Sequence, residues 1–272
     1  MPIKRVIIVS FDGLRGDAVE AAPMKNVMAL MESGAYSLTA RTISYPVTLP
    51  SHASMLSGMC LKKHGVDWNT LKYYRGYSKG TDIFDLTHAA GLKSVMIVNK
   101  DKLRQIAQPE TTDVFEIVYG AESTIMKAAI DQIPVGFDLM FVHIGSPDYR
   151  GDKYGWMSGE YFIALQNGDA ALGNLLDALD QYDIRDSTLI IITADHGGHG
   201  DTHDGTVIQD LLIPWVVSGP GVQHRKLTAQ VNTMDTAATA AYALELPIPT
   251  EWDGVPVMEI FDLPMERQSI TC

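Results

Sequence analysis

Asp195, His196, His199, Asp201, His203 and Asp204 fall within ten positions, directly after the apolar run Leu189-Ile-Ile-Ile-Thr-Ala194. Neutral imidazoles and carboxylates are preferred ligands of zinc and similar divalent ions. The glycines of Asp195-His-Gly-Gly-His199 would let the backbone bend around such an ion. Metal binding is therefore the chemistry this stretch points to. Other polar groups also follow apolar runs or open a helix: Asp12-Gly13, Pro147-Asp148, and Thr48 between Pro46 and Pro50. Each of these has a plain structural reading as a turn, a loop cap or a loop threonine.

Groups so far apart in sequence meet only if the fold brings strand ends together. Residues 4–10 read as a doubly buried strand ending at Asp12-Gly13, and 23–32 as a helix with Met24, Val27, Met28 and Met31 on one face and Gly34 as its stop. A strand at 36–43 precedes a rigid loop at 44–52 and a helix-like segment at 51–57. Residues 60–80 are loop-rich. Thr81 is placed as the cap of a helix running to Ala90. Strands follow at 92–98, 114–118 and 137–144, with helical segments at 101–107 and 120–133. A long helix at 158–182 leads into the strand before Asp195, and a strand at 213–218 and a helix at 233–244 close the pattern.

This alternation, without linker or repeat, predicts an α/β fold: a single doubly wound domain over residues 1–272 with a mostly parallel central sheet. In such a sheet ligands bind outside the carboxyl ends of the strands, where Asp12, Asp148 and Asp195 all fall.

The composition, 46% hydrophobic and 20% charged over 272 residues, is that of a globular chain. A net charge of −12 argues against a general binder of nucleic acid or of an anionic membrane, which needs clustered Lys and Arg. No nucleic-acid polymer and no membrane partner is expected. The apolar N-terminal run is cut off by Phe11-Asp-Gly13, short of a signal core. No apolar run approaches the roughly 20 residues of a membrane span. Cys60 and Cys272 show no CxxC spacing and no reason to pair, which fits a reducing compartment, so a cytoplasmic location is expected.

Five motifs occur in an informative order: Val6-Ile-Ile-Val-Ser-Phe-Asp-Gly-Leu-Arg15, Tyr45-Pro-Val-Thr-Leu-Pro-Ser-His52, His64-Gly-Val-Asp-Trp-Asn69, Pro147-Asp-Tyr-Arg-Gly-Asp-Lys-Tyr-Gly155 and Thr193-Ala-Asp-His-Gly197. Together they resemble the alkaline phosphatase superfamily, and most closely its nucleotide pyrophosphatase/phosphodiesterase branch. The resemblance implies an alkaline phosphatase-like fold and two divalent metal ions, zinc with manganese as the alternative. One ion would be held by Asp12, Asp195, His196 and Thr48, the last also serving as nucleophile. The other would be held by Asp148, Asp152 and a later histidine. Asn69 matches an asparagine that hydrogen-bonds a non-bridging phosphate oxygen in this branch. The implied reaction is attack of Thr48 on the phosphorus of a small-molecule phosphoester, giving a phospho-threonine that water then hydrolyses.

Two positions depart from the branch. Asp152 stands where the family usually has histidine; if it ligates, an extra carboxylate weakens the ion's Lewis acidity. Otherwise it is a solvated loop acid, with His143 or a water in its place. The later histidine is assigned to His203, followed by Asp204-Gly205, with His199 as runner-up. His52 is read as orienting its turn, and His64, His88 and His224 as structural.

A sulfatase is disfavoured because Thr48-Leu-Pro-Ser-His52 lacks the Cys-x-Pro-x-Arg frame. Thr48 with Asn69 favours a phosphodiester, a nucleotide pyrophosphate or a phosphonate over a monoester. A phosphonate or phosphomonoester hydrolase of the same superfamily, or a non-catalytic metal-binding relative, are the alternatives. Four aspartates against two divalent ions would leave a nearly neutral site suited to a monoanionic diester. Trp68, Tyr73, Tyr74 and Tyr77 are read as a pocket wall able to stack a nucleobase, or as a surface for a second subunit.

Overall fold

Val6-Ile-Ile-Val9, Leu139-Met-Phe-Val142 and Leu189-Ile-Ile-Ile192 are completely buried, as central strands covered on both faces have to be. They belong to β1 (Arg5–Phe11), β5 (Leu139–Ile144) and β6 (Thr188–Thr193) of one eight-stranded sheet. The others are β2 (Ala35–Arg41), β3 (Ser94–Val98), β4 (Val114–Ile117), β7 (Leu212–Ser218) and β8 (Arg225–Lys226). Their order is β4-β3-β5-β1-β6-β7-β2-β8. From β4 to β6 all pairings are parallel, and β2 pairs parallel with β8. Only β7 runs against its neighbours β6 and β2, so the sheet is mostly parallel, as expected. The computed structural model describes residues 2–263, and Cys272 lies outside them; Cys60 is disulfide-bonded, which corrects the expectation that the cysteines do not pair.

The helices are α1 (Ala18–Ala21), α2 (Lys25–Ser33), α3 (Thr48–Ser57), α4 (Leu61–His64), α5 (Ile83–Ala89), α6 (Glu122–Asp131), α7 (Ser146–Tyr154), α8 (Gly159–Gln181), α9 (Ile208–Leu211) and α10 (Asp235–Ala243). They form two packed groups. The long α8 gathers α2, α6 and α7, while α3 packs on α4 and α10, and α10 on α5. Among the described residues no helix is long and apolar enough to cross a membrane.

Three local outcomes differ from the sequence reading and have physical causes. The loop at 44–52 is shorter than expected, because α3 begins at Thr48 and not at Ser51. Pro50 sits at the third helical position, where a missing N–H costs nothing since the first N–H groups have no intrahelical acceptor anyway. The segment after β5 is the helix α7, with Pro147 at its start, so Asp148 lies in a first helical turn. The cap of α5 is Asp82 and not Thr81, since its carboxylate accepts the N–H groups of Phe84 and Asp85 while Asp85 accepts from Asp82.

Candidate functional site

The neighbouring strands β5, β1 and β6 deliver Asp148, Asp12 and Asp195 to one end of the sheet. Adjacent strands lie about 4.8 Å apart, so three carboxylates at their carboxyl ends share one small volume. All three are buried, as is His196. Asp195 is fixed by its Oδ1, which accepts the N–H groups of Gly13 (3.1 Å) and His196 (3.0 Å). His196 is fixed by its Nδ1, which donates to the Gly197 carbonyl at 2.8 Å.

What remains free is a set of lone pairs. Asp12 Oδ1, Asp148 Oδ1, Asp195 Oδ2 and His196 Nε2 are all buried without a hydrogen-bond partner. From His196 Nε2 it is 3.3 Å to Asp12 Oδ1, 3.3 Å to Asp195 Oδ2 and 3.9 Å to Asp148 Oδ1. Donor atoms about 2.0–2.1 Å from a tetrahedral zinc lie about 3.3 Å from one another, so the spacing fits a divalent ion. Buried acceptors with no donor are costly unless a cation satisfies them.

The electrostatics agree. Burial alone would depress the His196 imidazole, but Asp195, Asp12 and Asp148 raise it to about 10, so the cluster demands positive charge at Nε2, a proton or a metal ion. Asp195 is pushed up to about 6 by burial and then by the charge of Asp12. For Asp12, burial opposes ionisation but Lys100, His143 and His196 outweigh it and hold the carboxyl well below the usual range.

His203 joins this group. Its Nδ1 donates to the Pro46 carbonyl at 2.8 Å, leaving Nε2 3.7 Å from Asp148 Oδ1, and its ring stacks on His196. Asp12, Asp195 and His196 form one candidate metal cluster, Asp148, His196 and His203 an overlapping one, and His199, Asp204 and Asp210 a third, separate one. Asp152 belongs to none of them. It is one turn beyond Asp148 on α7 and exposed, with its carboxyl raised to about 6 by partial burial and by Asp148. His199 is turned away to Asp210 (2.8 Å), whose other carboxylate oxygen accepts from Gly205 N–H.

Thr48, almost fully buried, stands at the first position of α3. Asn69 docks on the same helix start: its Oδ1 accepts from Leu49 N–H and from the Lys102 ammonium, both at 2.9 Å. Two donors on one amide oxygen assign the orientation and leave the Nδ2 hydrogens out of these bonds. His52 orients the turn, as read from sequence. Its Nδ1 donates to the Thr48 carbonyl (2.8 Å), its Nε2 accepts from Ser10 (2.9 Å), and burial lowers it to about 4. His143 stands behind Asp12, with Nε2 2.9 Å from Asp12 Oδ2.

Two residues absent from the sequence reading are central. Lys100, just past β3, places its ammonium 2.6 Å from Asp12 Oδ2, 2.6 Å from Asp148 Oδ2 and 3.3 Å from Thr48 Oγ1. Burial would lower it, but the two carboxylates hold it above the ordinary lysine range. Trp156 forms the floor under the loop: its indole donates to the Gly13 carbonyl (3.0 Å) and its ring meets His203 edge-on. The expected aromatic wall is divided. Trp68 is buried, bonded to Gln105 and covered by the Arg75 guanidinium, whereas Tyr73 and Tyr74 are exposed.

With this geometry, residues 6–217 match the family model described as "Type I phosphodiesterase / nucleotide pyrophosphatase". The chain belongs to this family. The mouse ectonucleotide pyrophosphatase/phosphodiesterase family member 7 is 24% identical over 231 residues, covering 72% of this chain and 51% of that protein. The chain thus spans about half the length of such curated relatives. Among solved structures, murine ectonucleotide pyrophosphatase/phosphodiesterase 5, an inactive form in complex with AMP, superposes with a TM-score of 0.78 at 14% identity, covering 96% of this chain and 99% of that one. The phosphonate monoester hydrolase of Agrobacterium radiobacter gives 0.73 at 14% identity, with 97% and 79% covered. The family's fold is therefore present over nearly the whole chain, including the carboxyl ends that carry the candidate ligands.

Proposed function

We propose that this domain hydrolyses small phosphodiesters, including nucleotide pyrophosphates, with a divalent metal ion as cofactor and Thr48 as nucleophile. The observation that carries the reading is the set of four orphaned lone-pair atoms of Asp12, Asp148, Asp195 and His196, assembled beside the Thr48 helix start. These residues would hold the ion. Zinc is the first candidate, with manganese the alternative because carboxylate oxygens outnumber imidazole nitrogens. When bound, such an ion supplies Lewis-acid polarisation of a phosphoryl oxygen and lowers the pKa of a coordinated hydroxyl.

The chain's own groups supply the rest. The Thr48 hydroxyl sits at the positive end of the α3 dipole, with the Lys100 ammonium 3.3 Å away to favour negative charge on its oxygen. Asn69 Nδ2 donates to a non-bridging phosphate oxygen. The Thr48 oxygen bonds to phosphorus as the ester oxygen leaves, and water then cleaves the phospho-Thr48 ester. A monoanionic diester suits a site with little net charge better than a dianionic monoester does.

The test is Thr48→Ala with parallel assays on bis-aryl and mono-aryl phosphates. Turnover of the diester is expected to fall by about a thousandfold or more while bound metal is unchanged. A variant that keeps its turnover removes Thr48 from the mechanism. A wild type that prefers the monoester overturns the substrate class.

A further inference from the structure

We propose that the Lys100 ammonium takes the place of a second divalent cation, so that the site works with one metal ion and one fixed ammonium. The inference rests on the reading of the Asp12–Asp195–His196 cluster as a metal site, and it alters the cation inventory that the family resemblance implies.

Asp12 and Asp148 each divide their oxygens between two poles. Their Oδ1 atoms face His196 Nε2 and have no donor, whereas their Oδ2 atoms both lie 2.6 Å from Lys100 Nζ. An ammonium has three protons. Here three acceptors surround it: the two Oδ2 atoms and Thr48 Oγ1 at 3.3 Å. Positive charge held beside the attacking oxygen is what one ion of a two-metal pair would supply. The lysine is no flexible surface residue that has swung in, because β3 is hydrogen-bonded to β5 and Lys100 leaves its carboxyl end directly beside the strand that precedes Asp148.

The remaining donors do not make two complete sites. Of the three candidate clusters among the described residues, the two beside Thr48 both count His196, yet its Nδ1 is committed to the Gly197 carbonyl, so a single ring nitrogen is available and it can serve one ion. Asp152, the extra ligand expected for the second ion, is exposed and outside all three clusters. Charge bookkeeping closes with one ion. Asp12, Asp148 and Asp195 contribute three negative charges, and one divalent ion with one ammonium contributes three positive. Two divalent ions plus Lys100 would overcharge the site by two.

The experiment counts ions. Purified full chain is saturated with Mn(II), dialysed, and examined by elemental analysis and by electron paramagnetic resonance. One Mn(II) per chain, with the six-line spectrum of an isolated ion, is expected. Two per chain, or an exchange-coupled spectrum, overturns the proposal while leaving the metal-dependent reading intact. No retained metal with either Mn(II) or Zn(II) overturns that reading itself. Lys100→Ala combined with Asp152→His frees two carboxylate oxygens and supplies an imidazole, and its count should rise from one to two. A folded double variant that stays at one shows that the ammonium was not filling a cation position. The wild-type count decides alone if the variant fails to fold.

Discussion

The rings of His196 and His203 are stacked, with centroids 3.9 Å apart and planes 12° from parallel. Each ring has its Nδ1 tied to a backbone carbonyl, Gly197 for one and Pro46 for the other, so both present Nε2 toward Asp148. Two charged rings in this stack would repel one another, so the pair fits one cation shared at the Nε2 edges and not a proton on each ring. His199 has no part in this, being paired with Asp210. His203→Ala should therefore weaken divalent-ion affinity by about tenfold or more, in the range seen when groups that orient or complete a metal site are lost. His199→Ala should leave affinity within a factor of about two. Titration with Zn(II) against a competing chelator measures both, and equal effects would remove the distinction between the two histidines.

His64, in the motif that carries Asn69, gives stability a pH dependence of its own. Its Nδ1 accepts the Val66 N–H at 3.1 Å and its Nε2 donates to Ser54 at 2.9 Å, an arrangement open only to the neutral ring. Burial lowers its pKa from 6.5 to about 4. A histidine depressed in the folded state contributes stability that is complete above the unfolded value and is lost as pH falls toward the folded one. The window is thus about pH 6.5 down to 4, and the full contribution is on the order of 3 kcal/mol. Denaturant unfolding of metal-free wild type and His64→Gln across that window should show a shallower slope in the variant. Parallel slopes would mean that the ring is not buried neutral in solution.

The strand ends were legible in the sequence because buried parallel strands are continuous apolar runs, and Asp12 and Asp195 follow such runs directly. Asp148 was found too, although its helix was not, since Gly145-Ser-Pro147 looks like a loop until Pro147 is read as a helix start. Lys100 was hidden by its residue type: a lysine after a strand is ordinarily solvated, and nothing local shows that β3 neighbours β5. The glycines of the 195–199 segment serve a further purpose that the sequence does not display. A Cβ on Gly197 would meet the Gln209 carbonyl oxygen at 2.0 Å, and one on Gly198 would meet the Trp156 ring at 2.2 Å. They are required by close packing from distant parts of the chain, which one-dimensional spacing does not display. Asp152 is read as a ligand from family position; one helical turn beyond Asp148, it is exposed and lies outside the clusters that hold Asp148 and His196.

Asn69 offers the cleanest separation of chemistry from folding. Its Oδ1 holds Leu49 N–H and the Lys102 ammonium, and those bonds fix the start of α3. Burial, then the nearby Lys100, lowers Lys102 below the ordinary lysine range, so a carboxylate at position 69 would favour its charged form. Asn69→Asp thus keeps both structural bonds and changes only the other end of the side chain, from an N–H donor to an acceptor carrying negative charge. If that end contacts a non-bridging phosphate oxygen, kcat/KM for a bis-aryl phosphate should fall by about 10²- to 10³-fold, the usual cost of losing one such donor. Melting temperature and metal content should be unchanged. Loss of metal together with activity would instead assign Asn69 to holding the site's framework, and full activity would remove it from phosphate binding.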